Sequence, residues 1–269
     1  MSRIAARFEK LKSEGRKGFI PFLTAGDPEL DISLAIALRL AERADVIELG
    51  VPFSDPMADG PVIQRSSQRA VDNGTSLKDV IRLASQIRQR SDVPVVLFSY
   101  YNPVLSFGLE DFFHAAADAG VDGIILTDVI DEEALTISLE LAAFGIDLIS
   151  LVSPTTTDER LTNICQHARG FIYAVSRNGT TGQQETSSAS AATLVKRVRP
   201  RTDLPVAVGF GISTREQITD VWEFADAAVV GSAIVAEIER APNRSDVISR
   251  VDSLLEGLLP GVAKTGAEN

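Results

Sequence analysis

The chain is poor in the side chains that most often carry redox, metal or covalent chemistry. Its 269 residues include one cysteine, Cys165, two histidines, His114 and His167, and one tryptophan. A lone cysteine excludes an intramolecular disulfide and any zinc site built on several thiolates. Cys165 follows Ile164 in a predicted helix and reads as a small buried hydrophobe. Both histidines also fall on predicted helices rather than at strand ends, which disfavours a His-ligated metal. The six lysines are Lys10, Lys12, Lys17, Lys78, Lys196 and Lys264, and none ends a predicted strand. A Schiff-base mechanism therefore has no candidate nucleophile. Positive charge is in deficit too, with 26 Lys+Arg against 37 Asp+Glu for a net charge of −11. Such a balance argues against a broad nucleic-acid or anionic-membrane surface. An anionic substrate stays possible, because a few backbone N–H groups at a helix start can hold a phosphate. Long hydrophobic runs are missing: the longest uncharged stretch, 93–109, spans 17 residues and contains Pro94, Pro103 and Gly108. Residues 1–17 lack the apolar core of a signal peptide and mix Arg, Glu and Lys with Ile4, Phe8 and Leu11. The expectation is an amphipathic surface helix and a cytoplasmic protein.

What is present is ordinary globular material, 45% hydrophobic and 23% charged. Eight short β-rich apolar runs stand out, at 18–23, 46–49, 95–99, 123–126, 147–152, 171–175, 206–208 and 227–230. Most are apolar on both faces, as strands buried in a parallel sheet are. Helical spacing fills the gaps, for example Ile32, Ala35, Ile36 and Leu40 within 30–43, and Leu135, Leu139 and Ala142 within 132–144. Ser213 with Glu216 predicts a capped helix start. This alternation predicts one α/β domain over 1–259, a single (β/α)8 TIM barrel with an extra N-terminal helix, followed by a disordered tail at 260–269. An open doubly wound sheet is the alternative, but Thr24-Ala25-Gly26-Asp27-Pro28 after the first strand is not a dinucleotide fingerprint.

Barrel chemistry sits where strands end. Glu48 is the only charge in the run 46–53, where burial would raise its pKa and let it both donate and accept protons. The local pattern equally suits a structural ion pair. Asp59 lies 11 residues later in a loop with three prolines and reads either as a second functional carboxylate or as an Asp-Gly turn residue. Asp55, before Pro56, reads as a turn former. Gly209-Phe210-Gly211 and Gly231-Ser232 follow the last two strands, where barrels often build a phosphate cup; turn and cap duty would also place them there. The polar segment 176–182 suits a lid or a plain mobile loop. Together these residues suggest acid–base chemistry on a small phosphate ester.

The stretch Glu48-Leu49-Gly50-Val51-Pro52-Phe53-Ser54-Asp55-Pro56-Met57-Ala58-Asp59-Gly60-Pro61 closely resembles the signature of tryptophan synthase alpha subunits. Pro21 to Pro28, Tyr100-Tyr101-Asn102-Pro103, Ser176-Arg177 with Thr181-Gly182, 209–213 and 231–235 extend the resemblance to about residues 1–240. It implies cleavage of indole-3-glycerol phosphate to indole and glyceraldehyde 3-phosphate without a lysine or a metal. Carried over, Glu48 is the acid and base, and Asp59 accepts from the indole N–H. Phe22, Ile63, Tyr173 and Phe210 line the pocket, Gly182, Gly211, Gly231 and Ser232 hold the phosphate, and Thr181 sits on the lid. The implied partner is a beta subunit in an α2β2 assembly; it carries pyridoxal phosphate (PLP), and this chain carries no cofactor. A stand-alone lyase and a non-catalytic activator of a beta subunit are the alternatives. Two positions depart from the family: Thr180 stands where Val is usual, and Ile130 where Pro is common in a loop that touches the beta subunit.

Overall fold

The fold is described for residues 2–175, 187–209 and 211–259 of a computed structural model. The strands are β1 (Gly18–Thr24), β2 (Ile47–Gly50), β3 (Val95–Ser99), β4 (Gly123–Leu126), β5 (Asp147–Leu148), β6 (Ser150–Val152), β7 (Ile172–Val175), β8 (Val206–Gly209) and β9 (Ala227–Val230). All pairings are parallel, and β1 sits between β2 and β9, so the sheet curls towards closure. The predicted strand 147–152 is split at Ile149. Its lower half pairs with β4 and its upper half with β7, so one segment serves both neighbours in turn and joins the two ends of the sheet. Ile149 itself still donates to Ile124 O at 2.9 Å.

Helices cover the outside of this barrel. Leu30–Ala41 and Asp131–Ala143 form where the 3.6-residue spacing predicts them. The helix expected after Ser213 is Arg215–Phe224, and its cap is one residue later than expected. Thr214 accepts from the backbone of Gln217, whose side chain reaches back to the cap. Gln217 Oε1 also takes the Ser213 N–H at 2.8 Å, so the amide at position 217 outcompetes Glu216 for the box. Cys165 is buried, as its apolar setting predicts. The expected tail at 260–269 lies outside the described residues.

The N-terminal amphipathic helix is Arg3–Ser13, and its apolar face is not a surface feature. Ile4, Phe8 and Leu11 are buried against the inward side chains Ile20, Val46, Val96, Ile125, Ile149, Phe171 and Ala207, forming the floor of the barrel. An open barrel bottom would leave those side chains in water, which is why the helix folds across it. A repeated aspartate device pins this end. Asp45, Asp122 and Asp226 each accept an N–H from the first or second residue of a neighbouring strand, from Phe19 (3.0 Å), Val95 (2.8 Å) and Val206 (2.8 Å). Cations close over them: Arg3 and Arg88 on Asp122, Arg7 and Arg16 on Asp45, Lys17 and Arg199 on Asp226.

Phe8 stacks at 5.7 Å from Phe171 in the middle of that floor. Phe8→Ala should cost about 3–5 kcal/mol of unfolding free energy in urea titrations. A loss below about 1 kcal/mol would show that the helix does not close the barrel.

Candidate active site

Glu48 is paired in register with Phe22 on one side and Val96 on the other. Strand alternation then points it inward, above Val46. It is 1% exposed, and neither carboxylate oxygen has a hydrogen-bond partner among the described residues. Among the described residues, then, no structural ion pair of the kind its local pattern allowed holds it. Burial without a counter-charge pushes its carboxyl well above the ordinary value of 4.5.

Aromatic rings surround it. Phe22 meets Phe98 edge-on at 5.6 Å, and Phe98 meets Tyr173 at 6.5 Å. The Tyr173 hydroxyl is held well above its ordinary value, first by burial and then by the charges of Glu48 and Asp59. Two glycines make room for these rings. A Cβ at Gly50 would run into the Phe22 ring, and one at Gly209 into the Tyr173 phenol. Phe98 was not singled out from the sequence, yet it follows Val96 by two residues and so shares its inward side.

Asp59 arrives through the loop 51–60. Val51 N–H donates to Phe98 O (2.8 Å), Ser67 Oγ bridges Phe53 N and O, and Gln64 Nε2 donates to Asp59 O (3.0 Å). Tyr100 braces the tip: its hydroxyl accepts from Ala58 N–H at 2.8 Å and donates to Asp59 Oδ2 at 3.3 Å. Its ring lies 5.2 Å from Phe53. Burial raises Asp59 to about 6, with the Tyr100 bond opposing that rise. The Tyr100 hydroxyl is itself pushed up to about 12, chiefly by burial and then by the Asp59 charge. Asp55, exposed and accepting from Ser54 Oγ at 2.8 Å, behaves as the turn former expected of it. Ile63, half-buried, lies in the first turn of helix Pro61–Asp72.

The expected phosphate end lies beside this pair. Gly231 caps helix Ser232–Glu239, and a Cβ on it would stand 3.3 Å from Phe22 Cβ, next to the Glu48 register. Gly211 has a φ of +50°, where glycine is favoured. Thr181, Gly182 and Phe210 lie outside the described residues, as do Arg177 and Thr180. Ile130, at 58% exposure, caps helix Asp131–Ala143 on the same rim. His114 packs edge-on against Phe144 at 4.8 Å, away from the strand ends.

A parallel barrel with two raised carboxyls and a free helix start at the C-terminal ends of its strands defines an acid–base enzyme of the (β/α)8 class. Comparison with known proteins narrows this. Residues 8–258 match the family described as tryptophan synthase alpha chain. A relative from Solibacter usitatus, named tryptophan synthase alpha chain, is 45% identical over 262 residues, covering 97% of this chain and 98% of its own. The Legionella pneumophila alpha chain superposes with a TM-score of 0.86 at 38% identity, covering 96% of each chain. A chain from the Pyrococcus furiosus tryptophan synthase complex gives 0.82 at 38% identity, covering 90% of this chain and 97% of that one. The chain belongs to the tryptophan synthase alpha chain family.

Tyr100→Phe removes the donor that favours the charged form of Asp59. Asp59 should then titrate above its value of about 6 by a further ~0.5–1 pH unit, read from its carboxyl carbon by NMR. An unchanged or lower value would show that Tyr100 does not hold this carboxylate.

Proposed function

We propose that Glu48 and Asp59 together carry out the reaction of this family, the cleavage of indole-3-glycerol phosphate to indole and glyceraldehyde 3-phosphate. The observation that supports this reading best is Glu48 itself, a carboxyl buried among aromatic rings with no partner among the described residues. In the proton-bearing form that burial favours, Glu48 donates to the indole ring carbon that bears the glycerol chain. The ring nitrogen then becomes positive, and Asp59 accepts its N–H and offsets the developing charge. Glu48, now a carboxylate, takes the proton from the adjacent chain hydroxyl. The carbon–oxygen double bond of the aldehyde forms, the carbon–carbon bond breaks, and its electron pair returns to the indole ring. Glu48 ends as it began, and no cofactor enters this chain.

Phe22, Ile63, Tyr173 and Phe210 form the pocket in this reading, with Phe98 added to them. Gly182, Gly211, Gly231 and Ser232 take the phosphate, and Thr181 belongs to the segment over it. The helix start at Gly231–Ser232 supplies backbone N–H groups and a positive dipole end, so no basic patch is needed. A beta subunit carrying PLP is the proposed partner, in an α2β2 assembly. Met57 (90% exposed), Leu105 (47%) and Ile130 are large apolar side chains on the connections that follow β2, β3 and β4, where a partner would cover them. No helix among the described residues is long and apolar enough to cross a membrane. The proposal includes one barrel domain over 1–259 and a cytoplasmic setting.

Glu48→Gln should lower indole release by about 10³-fold or more while the fold persists. The sign of its pH effect follows from the raised carboxyl. Burying the charged form costs the native state progressively as pH rises from about 4.5 towards the raised folded value. The glutamine variant should therefore equal the parent in stability at low pH and exceed it near neutrality. Near-parental indole release by the variant, with or without a beta subunit, would contradict the assignment.

A further inference from the structure

Helix Pro61–Asp72 begins directly behind Asp59, and helix Ser232–Glu239 begins at the proposed phosphate end. The two pack side by side. Away from those starts, their side chains meet in one charge cluster. Asp27, 2% exposed in the turn after β1, accepts both Arg69 Nε and Arg69 Nη2 at 2.8 Å. The remaining Arg69 nitrogen, Nη1, donates to Glu239 Oε1 at 2.7 Å. Arg65 closes on the same carboxylate with two bonds, Nε to Oε1 at 2.8 Å and Nη2 to Oε2 at 2.7 Å. Two carboxylates thus face two guanidiniums. The first of these helices is further tied to the end of β1, where Thr24 and Ser66 share a 2.6 Å hydroxyl bond.

As a stability device the outer half of this cluster is weak, because Arg65 is 54% exposed and Glu239 27%. Its position is what sets it apart. Among the described residues, every side-chain hydrogen bond between these two helices runs to Glu239. Arg65 holds the Glu239 carboxyl down at about 2, with help from Arg69, so the bridge is charged at any pH near neutrality. Without that carboxylate, two guanidiniums would face each other and repel.

We propose that Glu239, Arg65 and Arg69 are positioning residues. They lock the two helices at one mutual setting, so that Asp59 and the Gly231–Ser232 helix start grip opposite ends of one substrate at the separation its cleavage requires. This rests on the roles proposed above for Asp59 and Gly231–Ser232. A substrate held at both ends is sensitive to that separation, since a displacement of about 1 Å at reacting atoms can cost ~10²-fold in rate.

The test uses Glu239→Gln, which leaves the buried Asp27–Arg69 pair in place, together with Arg65→Met and the double variant. Each is assayed with a cognate beta subunit well below its own thermal midpoint. The expected result is a fall of about 10-fold in kcat/KM for indole-3-glycerol phosphate in each single variant. The double variant should be no worse than Glu239→Gln alone, because both Arg65 bonds in the cluster run to Glu239. Inhibition by glycerol 3-phosphate and by indole, each of which touches one end only, should stay within about 2-fold of the parent. Unchanged turnover with a lowered midpoint would overturn the proposal and leave an ordinary ion pair. Equal weakening of glycerol 3-phosphate would also overturn it, by confining the effect to the phosphate end. A parent chain that neither cleaves the substrate nor binds glycerol 3-phosphate gives a different result, which overturns the underlying site assignment and this proposal with it.

Discussion

The site depends on one costly act, the burial of a carboxyl group with no partner among the described residues. An ionised carboxylate in such a place would forfeit several kcal/mol of solvation, so the group responds by keeping its proton to a higher pH. Glu48 has that environment because strand alternation leaves β2 no choice: the residue above inward-facing Val46 also faces inward. Phe22, Phe98 and Tyr173 then wall it from water, and Gly50 and Gly209 yield the space those rings need. A carboxyl whose proton is held above the ordinary range suits the role proposed for it, giving a proton to a ring carbon and then taking one from a hydroxyl.

Asp59 lives under the opposite arrangement. It comes from a loop rather than a strand, and it is held by a chain of specific bonds through Tyr100, Ser67 and Gln64. Its carboxyl rises only to about 6, so the ionised form dominates near neutrality and can meet a positive ring nitrogen. Two carboxylates with different surroundings thereby suit the two roles proposed for them, one trading protons and one staying charged. The acidic composition of the chain has little part in this. Most of its carboxylates are elsewhere, and Asp45, Asp122 and Asp226 show what several of them do, pinning the starts of strands at the far end of the barrel.

Much of this was legible in the chain because it was local. A single charge inside the apolar run 46–53 marks Glu48, and each of the predicted apolar runs overlaps one of the observed strands or, at 147–152, two. What escaped prediction depends on residues far apart in sequence. Tyr100 reaches Asp59 across 41 positions, along a path set by the loop and by the end of β3. The break at Ile149 reflects a change of neighbour from β4 to β7, which no pattern within 147–152 encodes. Arg3–Ser13 reads as amphipathic from its spacing, but only the open barrel bottom tells what its apolar face covers. The cap at Thr214 was misplaced by one residue because Glu216 and the next residue, Gln217, compete for the same box.

The central claim is that Glu48 keeps its proton above the ordinary carboxyl range because it is buried with no partner among the described residues. The most direct test is the infrared difference spectrum between the parent and Glu48→Gln across a pH titration. The expected result is a protonated-carboxyl stretch that belongs to Glu48 and persists well above the ordinary value of 4.5. A Glu48 signal that is already wholly carboxylate at pH 5, near the ordinary value of 4.5, would contradict it.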